Sequence, residues 1–327
     1  MDLAGIEPDQ HWGVMAGLAE RAELTRLWES VWVFDHFHTV PIPSQEATHE
    51  AWTLMAALAA VTSRIRLGQM CSCMGYRNPA YLAKVAATVD IISEGRLEMG
   101  IGAGWYEHEW RAYGMSGGEF PSAGVRLGML EEGVQIFRDM WTKGSATLNG
   151  KHYQVDGAIC SPRPLQGTTQ PGSRNNGIPI WIAGGGEKKT LRIAAQYADY
   201  TNFSADAFEH KSEILAAHCA DIGRDFSEIT RSSNINVIIG DTQKDVEERV
   251  AWIRQHYLDS GVPQARVDQQ IEGERAGVGF GTPEQIAERL TALKKLGLRY
   301  TIANFLEAAY DTSGMHLFEN AVIPEVR

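Results

Sequence analysis

The sequence predicts a (β/α)8 barrel, a TIM barrel with insertion loops at the C-terminal face of its strands, and three observations predict it. Short apolar runs alternate with longer amphipathic segments along the chain. The runs are near-continuous hydrophobes, the pattern of strands covered on both faces in a parallel sheet. Eight such runs are found, the number that closes this barrel. They are Leu3–Glu7, Val31–His36, Ile65–Cys71, Leu97–Gly102, Pro179–Ala183, Tyr200–Phe203, Ile235–Ile239 and Tyr300–Phe305. The competing arrangement is an open doubly wound sheet. That fold wants a glycine fingerprint after its first strand, and Gly5-Ile6-Glu7-Pro8-Asp9 is not one.

The segments between the runs carry helix signals. Asn78-Pro79 supplies an N-cap with proline at the first helical position, Leu82, Val85, Val89 and Ile92 follow at helical spacing, and Gly95 stops the helix. Leu127, Leu130, Val134, Phe137 and Trp141 make a second stripe. Thr242 precedes Val246, Val250, Ile253 and Tyr257, with Gly261 as the stop. Thr282-Pro283-Glu284-Gln285 is a capping box, followed by Ile286, Leu290 and Leu293 and closed by Gly297. Two stretches depart from the alternation. Residues 143–177 hold a hairpin, Ala146–Cys160, turning at Asn149-Gly150, and a polar loop, Gln166–Asn176. Residues 262–278 are polar, with Arg266, Glu272, Glu274 and Arg275. Both are long for barrel loops, and long loops tend to be lids or disordered. No repeat or second-domain boundary is seen, so residues 1–327 read as one domain.

The chain has 327 residues, 44% of them apolar, enough for a large buried core. No apolar run approaches the roughly 18 residues of a membrane span. The start, MDLAGIEPDQ, lacks the basic and apolar parts of a signal peptide, so the cytoplasm is the expected location. Net charge is −11 with no Lys/Arg block, which argues against nucleic acid and anionic membranes as partners. Cys71, Cys73, Cys160 and Cys219 include no Cys-x-x-Cys pair, so neither a zinc site nor a redox site is expected.

Barrel chemistry sits where strands end at the C-terminal face. The first run ends at Glu7, a carboxylate able to act as acid or base, or a solvated loop residue. The second ends in Asp35-His36-Phe37-His38. His36 and His38 share an orientation on an extended strand, which suits a metal, but the later strand ends bring no further ligands: they read Gly102-Ala103-Gly104, Gly184-Gly185-Gly186 and Asn304-Phe305. His36 is better read as a polar group facing a ligand, or as a histidine tied down by Asp35. The fifth run passes through Gly184-Gly185-Gly186 into a helix expected at Glu187–Ala198, with Lys188 and Lys189 beside it. Bare N–H groups at such a turn suit an anion, above all phosphate.

Several segments together resemble the bacterial luciferase-like monooxygenase superfamily, and within it the branch that uses coenzyme F420. They are Trp32-Val33-Phe34-Asp35-His36-Phe37, Tyr76-Arg77-Asn78-Pro79-Ala80, Ile92-Ser93-Glu94-Gly95-Arg96-Leu97, Gly100-Ile101-Gly102-Ala103-Gly104-Trp105, Pro179–Gly186 and Gly281-Thr282-Pro283-Glu284. The resemblance covers nearly the whole chain, and users of flavin mononucleotide (FMN) share most of its motifs. It implies a (β/α)8 barrel with the cofactor ring in the mouth, a non-prolyl cis peptide matched by Met70–Cys71, and a phosphate cradle matched by Ala183, Gly184, Gly185 and Gly186. The histidine beside the ring matches His36, preceded by Asp35, while Cys73 and His108 match cofactor-contacting positions. Related sugar-phosphate dehydrogenases carry an acid where this chain has Trp105 and a tryptophan where it has Val40, whereas Glu7 matches an acidic position of theirs. Oxidation of a sugar phosphate is therefore not expected. A larger or more apolar substrate is expected instead, with Trp105 either stacking against it or capping the barrel.

The resemblance implies F420-dependent hydride transfer to or from a small-molecule substrate, with His36 as the proton partner and Glu7 second. An FMN-dependent monooxygenase using reduced flavin and oxygen is the first alternative, and a non-catalytic flavin-binding protein the second. The substrate is expected to be chosen by residues 106–120 and 262–278. A homodimer is compatible with this reading.

Overall fold

The computed structural model describes residues 3–170 and 176–327. Its centre is a nearly closed parallel barrel whose strands are β1 (Ser30–Val33), β2 (Arg66–Gln69), β3 (Leu97–Gly102), β4 (Ile180–Ala183), β5 (Tyr200–Asn202), β6 (Thr230–Ile239), β7 (Phe280–Gly281) and β8 (Tyr300–Phe305). Ladders run from β1 through β6 in order. Strand β6 pairs with β8 over residues 232–237 and with the short β7 at Ile238 and Ile239. Between β8 and β1, the Tyr300 and Ser30 hydroxyls meet at 2.5 Å.

Large side chains fill the lower barrel. Trp181 stacks on Tyr200 with centroids 4.0 Å apart, and Trp32 and Tyr300 meet Trp181 edge-on. Gly68 leaves room for this layer, since a Cβ there would lie 2.3 Å from the Trp32 ring. The buried Glu98 accepts from Trp181 Nε1 at 2.6 Å and pairs with Arg66.

The count of eight was reached with one wrong member. Leu3–Glu7 is not a strand: Gly5 takes φ +78°, the Ile6 N–H turns back to Leu3 O, and Pro8 begins the helix Pro8–Thr25. Glu7 is the exposed N-cap residue of that helix, not a strand end. The missed member is β7, whose two residues are too short to register as an apolar run. The run Ile65–Cys71 leaves the β2 ladder after Gln69, the Met70–Cys71 peptide bond is cis, and pairing resumes from Ser72 and Cys73 to Ile101 and Gly102.

Most helix signals correspond to helices. Asn78 Oδ1 accepts from the N–H groups of Ala80 and Tyr81 at the start of Pro79–Ile92, and Thr242 caps Gln243–Asp259. The hairpin pairs Ser145–Asn149 with Gln154–Ile159, and the Glu132 carboxylate accepts three N–H groups at its turn. The expected loop Gln166–Asn176 includes residues 171–175, which lie outside the described residues. Residues 262–278 are not a loop: they contain the helix Gln264–Arg275, which buries only Val267 and Ile271. One apolar pair at i, i+4 in a polar stretch is too thin a stripe to read as a helix. Among the described residues no helix is long and apolar enough to cross a membrane.

Gly104, just past β3, tests the packing under the mouth. It takes φ +80°, and a Cβ there would lie 2.3 Å from Cys73 Sγ. Gly104→Ala should cost about 2 kcal/mol or more, one part from left-handed backbone and one from overlap. Urea unfolding measures the loss, and adding Cys73→Ala should recover only the overlap part.

Candidate active site at the C-terminal mouth

The chain leaving β1 carries two of the expected residues into unlike surroundings. Asp35 is 2% exposed and gripped by Arg77, whose two terminal nitrogens lie 2.6 and 3.0 Å from its oxygens. Arg77 also pairs with Glu50. His36 turns the other way. Its Nδ1 lies 2.8 Å from Oε2 of Glu109, a fully buried residue of the helix Glu107–Ala112. The same carboxylate accepts from the Phe37 N–H at 2.6 Å, the His38 N–H at 3.3 Å and the Tyr76 hydroxyl at 2.7 Å.

Burial pushes Glu109 up, but the bonds from His36, Tyr76 and the Phe37 N–H more than offset it and hold the carboxyl below its ordinary value. Burial, reinforced by the Glu109 bond, raises Tyr76. An ionised carboxylate only accepts, so His36 carries its proton on Nδ1 and leaves Nε2 for a ligand. Asp35, which the sequence offered as the residue tying His36 down, is committed to Arg77 instead.

Trp105 is 60% exposed, its ring 6.0 Å from that of His36. His108 is exposed at the rim, with its Nδ1 3.0 Å from Nε2 of His38. Met70 is buried with Trp181 and Ile302 inside the barrel. Enclosure of the thiols, with smaller contributions from Asp35, pushes Cys71 and Cys73 up to about 12, so both stay protonated. Among the described residues no three His, Cys, Asp or Glu side chains converge on a point where a metal would bind.

Beyond β4 the glycine turn is open in part. The Gly184 N–H donates to Asn202 O at 2.8 Å, so it is not among the open donors of the turn. Among the described residues no backbone acceptor meets the N–H groups of Gly185, Gly186, Glu187 or Lys188, and the helix begins only at Thr190. Lys211, unnoticed in the sequence, pairs with Glu187 at 2.6 Å, and its side chain passes 3.3 Å from where a Gly185 Cβ would lie. Free N–H groups, a close cation and a turn made of glycine alone fit a phosphate-bearing cofactor.

Sequence reading also missed Glu109, which sits 73 residues from His36. The available signal was an acid inside the aromatic run Trp105-Tyr106-Glu107-His108-Glu109-Trp110. A family model described as luciferase-like monooxygenase matches residues 4–300. The chain belongs to this family.

Named relatives span two chemistries. The chain is 33% identical to the pyrimidine monooxygenase RutA of Stutzerimonas stutzeri, covering 79% of this luciferase-like chain and 75% of that one. It is 34% identical to an F420-dependent glucose-6-phosphate dehydrogenase of Amycolatopsis mediterranei, over 55% of this chain and 48% of that one. Among solved structures, an F420-dependent secondary alcohol dehydrogenase in complex with an F420–acetone adduct superposes with a TM-score of 0.75 at 22% identity, covering 96% and 95% of the two chains. That likeness concerns the fold. The family is one of oxidoreductases and monooxygenases, using flavin or deazaflavin.

Proposed function

We propose that this luciferase-like protein transfers a hydride between coenzyme F420 and a small organic substrate. The observation that carries the proposal is the His36–Glu109 pair, a proton-bearing imidazole braced by a buried carboxylate at the mouth where barrel chemistry occurs. When bound, the deazaflavin supplies two-electron hydride chemistry. The rest falls to the chain's own residues. The N–H groups of Gly185, Gly186, Glu187 and Lys188, with Lys211, hold phosphate. Met70, Cys71 and Cys73 line the ring's place without acting as nucleophiles. His36 Nε2 gives or takes the proton that accompanies hydride transfer, Glu109 keeps it oriented, and Trp105 meets the substrate. Glu7 is left without a part, because it stands exposed at the head of the first helix.

A second reading, an FMN-dependent monooxygenase, is favoured by one observation: the relative matched over 79% of the chain is a monooxygenase. Calorimetric titration with F420 and with FMN, followed by turnover under air and under nitrogen, separates the two. Preferential F420 binding with turnover under nitrogen is expected. Preferential FMN binding with turnover only in air would replace the first reading with the second.

The phosphate assignment has its own test. Gly185→Asp sets a carboxylate where the phosphate would lie and should weaken cofactor binding by a few kcal/mol, the scale of an uncompensated close charge. A folded variant that binds the cofactor as tightly as wild type would remove the turn from the site.

A further inference from the structure

A second polar array stands on the far side of the β8–β1 junction from His36. Tyr300 and Ile302 of β8 face the barrel interior, where they pack with Trp181 and Met70. Period two puts Asn304 on the same side, one layer nearer the mouth. Its partner in register on β6 is Asn236, and Asn304 Nδ2 donates to Asn236 Oδ1 at 2.9 Å. Asn236 Nδ2 donates in turn to Oε1 of Glu274 at 2.8 Å. Glu274 lies in the last turn of the helix Gln264–Arg275, within the stretch expected to choose the substrate. Asn236 is exposed, and Asn304 and Glu274 are half-buried, so solvent reaches all three.

The chemistry of this array is specific. The second N–H of each amide, the Asn304 carbonyl and Glu274 Oε2 take part in neither of these bonds, so donors and acceptors alternate along one wall. The neighbouring cation, Arg275, is turned away to Glu247 and lies over the Phe280 ring. Partial burial raises the Glu274 carboxyl against the opposing pull of the Asn236 bond, the mark of a wall where an added negative charge is poorly solvated.

We infer that Asn304, Asn236 and Glu274 form the substrate-recognition wall of the mouth, and that they take an uncharged ligand with an N–H beside a carbonyl: an amide, lactam or imide. This deepens the proposed function and rests on its placement of the active site at the C-terminal mouth. Carboxylate substrates are disfavoured, because their charge would face Glu274 while the adjacent cation, Arg275, is held by Glu247.

Two probes of similar size test the inference: glutarimide and cyclopentanecarboxylate. Their affinities are measured by calorimetry at neutral pH on the F420-loaded, FMN-loaded and cofactor-free protein. Wild type should bind glutarimide at least tenfold more tightly than the carboxylate. Glu274→Gln removes the charge and replaces an acceptor with a donor, so glutarimide should weaken about tenfold while the carboxylate gains about tenfold. Asn304→Leu, a second variant away from the helix, should weaken glutarimide alone. Wild type that binds neither probe, or both equally, overturns the inference, as do variants of wild-type melting temperature whose two affinities move together or stay put. Failure of both F420 and FMN to bind would overturn the proposed function while leaving the probe preference readable. Normal cofactor binding without probe preference would overturn only this inference.

Discussion

Replacing His36 with alanine should lower the single-turnover hydride-transfer rate by about 10²-fold or more while F420 affinity stays within about tenfold. The expectation follows from how the imidazole is held. Its Nδ1 is 2.8 Å from a buried carboxylate and its side chain is 18% exposed, so one nitrogen is fixed and the other faces the mouth. Hydride transfer redistributes charge, and a placed proton donor or acceptor stabilises that change, typically by about 10²–10⁴-fold in rate. A residue that merely packed beside the ring would give the reverse pattern, with affinity lost and rate kept. His36→Gln keeps a hydrogen-bonding group at similar reach but cannot exchange a proton, so its rate should stay near that of the alanine variant. A wild-type rate in His36→Ala would remove the residue from catalysis.

Glu109→Gln should destabilise the protein by about 1–3 kcal/mol and reduce the rate as well, because it leaves buried donors without an acceptor. Four donors converge on this carboxylate, those of His36, Tyr76, Phe37 and His38. A glutamine oxygen can accept at one end only, and its NH2 at the other would face two donors. The pH dependence has a definite sign. The folded carboxyl lies below its ordinary value, so the stability it contributes is present above about pH 4.3 and is lost as pH falls through the folded pKa. The gap in melting temperature between wild type and Glu109→Gln should therefore be widest near neutrality and narrow in acid. A gap independent of pH would mean that packing, not the ionised carboxylate, supports the loop.

The residues readable from the sequence had local signatures. Asp35-His36 stood at the end of an apolar run, and Gly184-Gly185-Gly186 stood between a run and a helix, so position along the chain implied position at the mouth. Asn78, Thr242 and Thr282 announced their helices because capping is a contact among neighbouring residues. The errors share the opposite origin. Leu3–Glu7 has strand-like composition, but Gly5 and Pro8 impose a turn and a helix start. Strand β7 exists because β6 offers Ile238 and Ile239 as an edge, not because Phe280-Gly281 has any preference of its own. The helix Gln264–Arg275 is stabilised by a satellite core with Ile238, Val246, Val250 and Phe280, partners that no local window contains.

By itself, then, the sequence determined the barrel and placed His36 and the glycine turn just past the ends of their strands, since each is written in periodicity or in adjacent residues. Tertiary structure alone decided which groups those residues work with. It gave His36 to Glu109 and Asp35 to Arg77, closed the Gly184 N–H onto Asn202 while bringing Lys211 beside Gly185, and joined Asn304, Asn236 and Glu274 into one wall. Side chains tens of residues apart become hydrogen-bond partners only when strand register and helix packing place them within about 3 Å, and register and packing depend on the whole core.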